Sequence, residues 1–421
     1  MPAGAAFVFK KGHKVFYRIV SERQEPPGGS GTDEPGTFTR PLLAIALSAL
    51  AFRLVSALLA LYANVVFPLY QPEQFTFGKT SPFWDTFARY DSGAFYQIAR
   101  YGYSGGPNRF VAGGRSTIAY FPVYPLLMRY VGRLFGSSPG DLFLGGIVVS
   151  WIAFTLAMGV LFCLARLDLS PRAAERAVLL AAIFPFAFFY GVVYTEAVFL
   201  LFTVSSFYCF RTRRWIAGGV CGALATATRV NGILMLPALA WTAWRSAEPD
   251  ARDRLLAVLG LLLVACGVGA YSLYIYRLSG NPFEWAATIG RWGYYPGGAP
   301  WPALVRLVQT LVTHPYAYLA GERQAPYDVL NGVTALVFVA SVPFVWKRLG
   351  AAYGLFMAAN LWLPLSSGQY EGLGRYCAVL FPFFIWLAGF RSRVVVVSAL
   401  VVSAMFYALC LALFTTIHPL F

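Results

Sequence analysis

The chain has 421 residues, of which 58% are hydrophobic and 12% charged, and its formal net charge is +15. A soluble domain cannot bury that much apolar surface, and the apolar residues come in long runs, so lipid is the solvent of this chain. The lysines and arginines stand in short clusters between those runs, a membrane-loop pattern that argues against nucleic-acid binding. All six cysteines (Cys163, Cys209, Cys221, Cys266, Cys377, Cys410) fall inside apolar runs, and His13, His314 and His418 are scattered. Neither a disulfide frame nor a metal cluster is expected from that spacing.

In chain order, residues 1–41 are basic and contain a Pro/Gly/Ser-rich stretch at 24–36, which reads as a flexible cytoplasmic tail and not as a cleavable signal peptide. Residues 42–421 read as an all-α polytopic membrane domain. Spans are expected near 42–68, 142–165, 177–192, 194–210, 215–228, 231–244, 255–277, 328–346, 350–365, 374–390 and 394–417, about eleven in all. Those beside Tyr194 and Arg229 are short for a bilayer and suggest hairpins or re-entrant segments.

The charges test this count. Lys10, Lys11, Lys14, Arg18 and Arg23 precede the first span. Arg166, Arg172 and Arg176 follow the second, Arg211, Arg213 and Arg214 the fourth, and Arg245, Arg252 and Arg254 the sixth. Lys347 and Arg348 follow the eighth, and Arg391 and Arg393 the tenth. All these clusters fall on one side, which the positive-inside rule makes cytoplasmic. The opposite face receives two long loops, about 69–141 and 279–327, and short turns at 194–196, 228–232 and 366–375. Arg53 lies mid-span and needs an internal partner or a water path. No internal repeat is visible, which argues against a transporter built from two matching halves.

The first long loop carries Arg89-Tyr90-Asp91-Ser92-Gly93-Ala94-Phe95-Tyr96-Gln97-Ile98-Ala99-Arg100-Tyr101-Gly102-Tyr103, an acid, two arginines and an aromatic belt at the membrane rim. Asp91 reads either as the N-cap of a short helix or as a general base for an attacking hydroxyl. Asp85, after Trp84, is placed equally well, and the residues alone do not separate the two acids.

Three more charged residues stand on the same face. Glu196 is either an exposed turn acid or a group that orients an arginine or contacts an acceptor. Arg229, beside Asn231-Gly232, and Arg375, at the start of a span, are either rim arginines or clamps for a phosphate. The second loop, with Asn281-Pro282-Phe283-Glu284-Trp285 and Arg291-Trp292-Gly293-Tyr294-Tyr295, reads as an interfacial aromatic belt ahead of a sugar-stacking surface.

Tyr90-Asp91-Ser92 with Phe95, Ile98-Ala99 and Gly102-Tyr103 resembles the Trp-Asp-Ala/Ser…Phe…Ile-Ala…Gly-Tyr motif of PIG-V-like mannosyltransferases. These are relatives of the second mannosyltransferase of glycosylphosphatidylinositol assembly, within the GT-C class. Further segments match in order: Phe121-Pro122-Val123-Tyr124-Pro125, Phe184-Pro185-Phe186-Ala187-Phe188-Phe189 through Tyr194-Thr195-Glu196, Thr228-Arg229-Val230-Asn231-Gly232, and Gly374-Arg375-Tyr376 with Phe381-Pro382. The chain departs from the pattern at Tyr90, where Trp is usual, and at Ala94, where eukaryotic members tend to carry His.

The resemblance implies a GT-C-like bundle and inverting transfer of a sugar, mannose first, from a polyprenyl or dolichyl phosphate donor to a lipid-linked or extracytoplasmic acceptor. It selects Asp91 over Asp85 as the general base. Arg229 and Arg375 become the candidates for the donor phosphate, and Tyr90, Tyr103, Glu196 and Asn231 candidate substrate contacts. A single phosphate can be covered by arginines, so neither metal nor cofactor is expected. The expected location is a bacterial plasma membrane with a cytoplasmic N-terminus, or else the endoplasmic reticulum. The competing expectations are a multi-pass lipid or solute transporter and a non-catalytic GT-C-like scaffold.

Overall fold

The computed structural model describes residues 36–70, 82–103, 116–293, 298–316 and 326–420. Residues 1–35 of the expected tail, the side chain of Asp85, and Tyr294 and Tyr295 of the second loop lie outside the described residues. Among the described residues every element is helical, and everything from Ala44 onward forms one unit.

Among the described residues five helices are long and apolar enough to cross a bilayer: Arg40–Val66, Pro139–Ala165, Ala251–Ser279, Tyr327–Leu349 and Arg393–Thr415. Their starts follow local chemistry. Ser138 and Asp141 form a reciprocal capping box at the head of Pro139–Ala165, and Asp250 and Ser392 cap Ala251–Ser279 and Arg393–Thr415.

Three of the expected spans are not single helices. Between 177 and 192 the Pro171–Ala182 helix stops and gives way to a 3₁₀ turn, Ala187–Tyr190, because Pro185 supplies no backbone N–H and disfavours helix before it. Between 231 and 244 a 3₁₀ turn, Val230–Met235, precedes the Leu236–Ser246 helix. Between 374 and 390 the chain makes two short helices, Leu373–Ala378 and Phe381–Ala388, broken just ahead of Pro382. The two loops, in turn, hold helices of their own, including Ser92–Tyr101 and Val123–Gly132 in the first and Glu284–Arg291 and Trp301–Thr313 in the second.

Broken backbone inside a membrane must find polar partners. Arg53 supplies one set. Its guanidinium donates to Ala187 O at 3.3 Å and Ala182 O at 3.5 Å, on either side of the Pro185 break. Its planar face lies 4.0 Å from the Phe154 ring centroid, so the mid-span charge rests on carbonyl dipoles and an aromatic quadrupole. Arg89 does similar work at the other end of the bundle. It donates to Thr415 O through Nε at 3.1 Å and Nη2 at 3.0 Å, closing the last turn of the Arg393–Thr415 helix, and to Asn64 Oδ1 at 2.9 Å.

Helices Trp215–Thr226 and Ala251–Ser279 approach closely through glycine. A methyl group on Gly267 would strike the Ala223 carbonyl and the Thr226 hydroxyl, whereas one on Gly269, two residues along the same helix, would meet open space. Small residues at such a seam let the backbones come within van der Waals reach. Gly267→Ala should therefore lower stability by about 1–3 kcal/mol, while Gly269→Ala should leave it unchanged or raise it by up to about 1 kcal/mol. Thermal unfolding of both variants in one detergent measures the difference.

Candidate active site

The site is built where four sequence-distant segments meet. The turn before helix Ser92–Tyr101 is pinned first. Val193 N donates to Phe87 O at 3.0 Å, Ser92 Oγ donates to Val193 O at 3.1 Å, and the Asp91 N–H meets Tyr194 Oη at 3.4 Å. Tyr90 turns the chain with φ of +49°, a left-handed conformation that a bulky residue holds only when its surroundings impose it.

Asp91 sits ahead of the helix, but its carboxylate makes no cap hydrogen bond. It is turned instead into the site, where Oδ1 accepts from Tyr120 Oη at 2.9 Å and Oδ2 accepts from Arg375 Nη1 at 2.7 Å. Asp91 does hold the N-cap position, but through its backbone alone: Asp91 O accepts from Ala94 N at 2.9 Å and Phe95 N at 3.2 Å.

Behind this pair lies Glu196, with no exposure to solvent. It is no surface turn acid. Its Oε1 pairs with Arg229 Nη1 and stands 3.3 Å from Arg375 Nε. Arg229 also donates to Thr195 Oγ1 at 3.2 Å and lies 5.0 Å from the Tyr376 ring centroid, while Arg375 lies 5.4 Å from that of Tyr194. Two acids and two arginines thus alternate, Asp91–Arg375–Glu196–Arg229, with Asp91 at the open end (22% side-chain exposure) and Arg375 and Arg229 at 17% and 10%. Alternation is what low dielectric demands, since an unpaired charge there costs several kcal/mol.

Among the expected substrate contacts, Tyr103 acts one step back. Its hydroxyl donates to Tyr120 O at 2.7 Å, and burial pushes its phenol well above the ordinary range, so it stays a donor. Asn231 is buried, its amide donating to Asn360 Oδ1 at 3.1 Å. Tyr90 is buried with its ring against Phe414.

Two members of the site were not singled out from the sequence. Tyr120 is one; its ring also packs on Trp292 of the second loop at 5.4 Å, which puts that aromatic at the cluster's edge. Asn331 is another: its Oδ1 accepts from Gly374 N at 2.8 Å and so fixes the residue before Arg375. Only Tyr120's position beside the Phe121-Pro122 motif hinted at a role. Among the described residues no three His, Cys, Asp or Glu side chains converge to hold a metal ion.

Residues 120–274 match the family model of dolichyl-phosphate-mannose-protein mannosyltransferases, well under half of the chain. That stretch begins at Tyr120 and takes in Glu196 and Arg229, and the match supports a membrane glycosyltransferase. No curated protein matches the sequence. Among solved structures, ArnT from Cupriavidus metallidurans bound to undecaprenyl phosphate is 13% identical with a TM-score of 0.47, over 91% of this chain and 77% of that one. The apo oligosaccharyltransferase of Archaeoglobus fulgidus is 14% identical with a TM-score of 0.45, over 88% of this chain and 56% of that one. The chain therefore spans a little over half the length of the archaeal enzyme.

Glu196 should be the member whose loss destabilises most, because it alone touches both arginines and is wholly buried. Glu196→Gln should lower unfolding free energy by about 3 kcal/mol, against under about 1.5 kcal/mol for Tyr120→Phe. Paired thermal melts would refute this ordering if the tyrosine variant proved the weaker protein.

Proposed function

We propose that the chain is a GT-C-like membrane glycosyltransferase of the PIG-V-like kind that moves mannose from a polyprenyl or dolichyl phosphate to a glycolipid or glycan acceptor. One observation carries the reading: a partly exposed carboxylate, Asp91, pairs with Arg375, which the buried Glu196 links to Arg229. That is the charge arrangement that inverting transfer from a phosphate leaving group requires.

In this reaction the acceptor oxygen attacks the anomeric carbon, the carbon–oxygen bond to phosphate breaks, and the bonding pair leaves with the lipid phosphate. Asp91 takes the acceptor's proton. Arg375 and Arg229 bind the phosphate, which gains negative charge as the bond opens, so their hold strengthens toward the transition state.

Each Asp91 oxygen accepts one hydrogen bond, from Tyr120 at Oδ1 and from Arg375 at Oδ2, which leaves a lone pair on each for an acceptor hydroxyl. A phosphate at Arg375 competes with Asp91 for the guanidinium, and as Arg375 turns to it Oδ2 is released while Tyr120 keeps Oδ1. Losing the guanidinium makes Oδ2 the more basic oxygen, so donor binding favours removal of the acceptor's proton.

The deciding assay supplies purified protein with polyprenyl-phosphate mannose and total membrane lipid. Asp91→Asn should melt near the parent temperature and still bind donor, yet transfer sugar at least about a hundredfold more slowly. An active Asn variant sinks the base assignment. In the same assay Arg375→Ala should raise donor KM by about ten- to hundredfold, and Arg375→Lys should be intermediate because charge survives but the fork does not. Unchanged donor KM in both would return Arg375 to a structural role.

The basic clusters support an extracytoplasmic position for this site. Single cysteines replacing Thr313 and Ser170 in a cysteine-free background should then react with an impermeant maleimide from opposite sides of the membrane, Thr313→Cys from outside. Labelling from one side by both would overturn the orientation.

A further inference from the structure

The Trp301–Thr313 helix of the second loop is 13 residues long, about 20 Å, and so cannot cross a hydrocarbon layer of about 30 Å. It lies between two helices long enough to span, Ala251–Ser279 and Tyr327–Leu349, whose facing ends must share one side of the membrane.

Its surface divides into three sectors. Ala303 and Leu307 are buried against the protein. Trp301, Val305, Val308 and Val312, at helical spacings of four, three and four, form an exposed apolar stripe, with Trp301 58% and Val312 75% exposed. Arg306, Gln309 and Thr313 form an exposed polar stripe about a third of a turn away. A helix facing only water would not carry the apolar stripe, and one facing only hydrocarbon would not carry the polar one. The combination fits the plane of the bilayer interface, where tryptophan is favoured.

This helix is hooked to the turn that leads to Arg375. Tyr370 Oη donates to Ala303 O at 2.6 Å, Arg306 Nη2 donates to Gly368 O at 3.1 Å, and Gly298 N donates to Ser366 O at 3.2 Å. Trp301 and Trp362 add an edge-to-face contact with centroids 6.0 Å apart.

We propose that Trp301–Thr313 is an interfacial anchor. Its apolar stripe beds in the acyl chains of the leaflet on the site's side, its polar stripe faces water, and its hooks hold the 366–375 turn at headgroup depth. The last part rests on the reading of Arg375 as a phosphate ligand, since headgroup depth is where a membrane lipid presents its phosphate.

Nitroxide labels on single cysteines at 308, 312, 309 and 313, in a cysteine-free protein in phosphatidylcholine vesicles, test the anchor. Power saturation should show oxygen dominating over a water-soluble nickel complex at 308 and 312, with the order reversed at 309 and 313. Water-like accessibility at all four sites would overturn the proposal. So would shielding of 308 and 312 from both reagents, which would mean a protein partner or a second copy covers the stripe. Val308→Asp with Val312→Asp, both on the exposed stripe, should raise the KM for polyprenyl-phosphate mannose about tenfold with kcat and melting temperature retained; an unchanged KM would overturn the depth claim. An intact label pattern in a protein that transfers no sugar from polyprenyl-phosphate mannose would instead mean that the transferase reading had failed while the anchor stood.

Discussion

The burial of Glu196 constrains everything around it. A carboxylate with no solvent exposure cannot stay charged in a membrane protein without close cations, and it has two, Arg229 and Arg375. Those arginines come from separate breaks in the helical bundle, so the 228–232 turn and the Leu373–Ala378 helix are obliged to converge on the N-terminal end of Glu196–Arg211. Asp91 then completes the alternation from the first loop. Remove the glutamate and two guanidiniums are left facing each other at the rim.

The broken spans follow from the same requirement. An uninterrupted helix satisfies its own backbone and presents only side chains, whereas a break frees backbone groups that other parts of the protein must satisfy. Pro185, Pro237 and Pro382 enforce the interruptions, and Arg53 satisfies carbonyls freed by the first. Glu196 and Arg211 stand at the two ends of one 16-residue helix, about 22 Å apart. Arg211 pairs with Asp168 at 2.9 Å, so each end of that helix is held by its own ion pair.

Asp91 is fixed by a phenol on one oxygen and a guanidinium on the other. In the proposed reaction a phosphate competes with Asp91 for the arginine, and Oδ2 gains basicity as the guanidinium turns away. Tyr120 is steadied through its own carbonyl by the hydroxyls of Tyr103 at 2.7 Å and Tyr271 at 3.2 Å.

By itself the amino-acid sequence determined that the chain is helical and crosses a membrane several times, because apolar runs of that length have no other stable solution. It also marked Asp91, Glu196, Arg229 and Arg375 as charges that hydrocarbon would not tolerate, and proline marked where helices break. It did not determine that Asp91 and Arg375, 284 residues apart, share a hydrogen bond, nor that Glu196 is interior, nor that Tyr120 and Asn331 belong to the site. Those outcomes depend on how helices rotate about their axes and how loops fold back over their ends. Rotation is decided by side-chain packing across the bundle, such as the glycine seam at Gly219 and Gly267. No local pattern encodes it, since the residues that meet are chosen by contacts between segments and not by spacing within one.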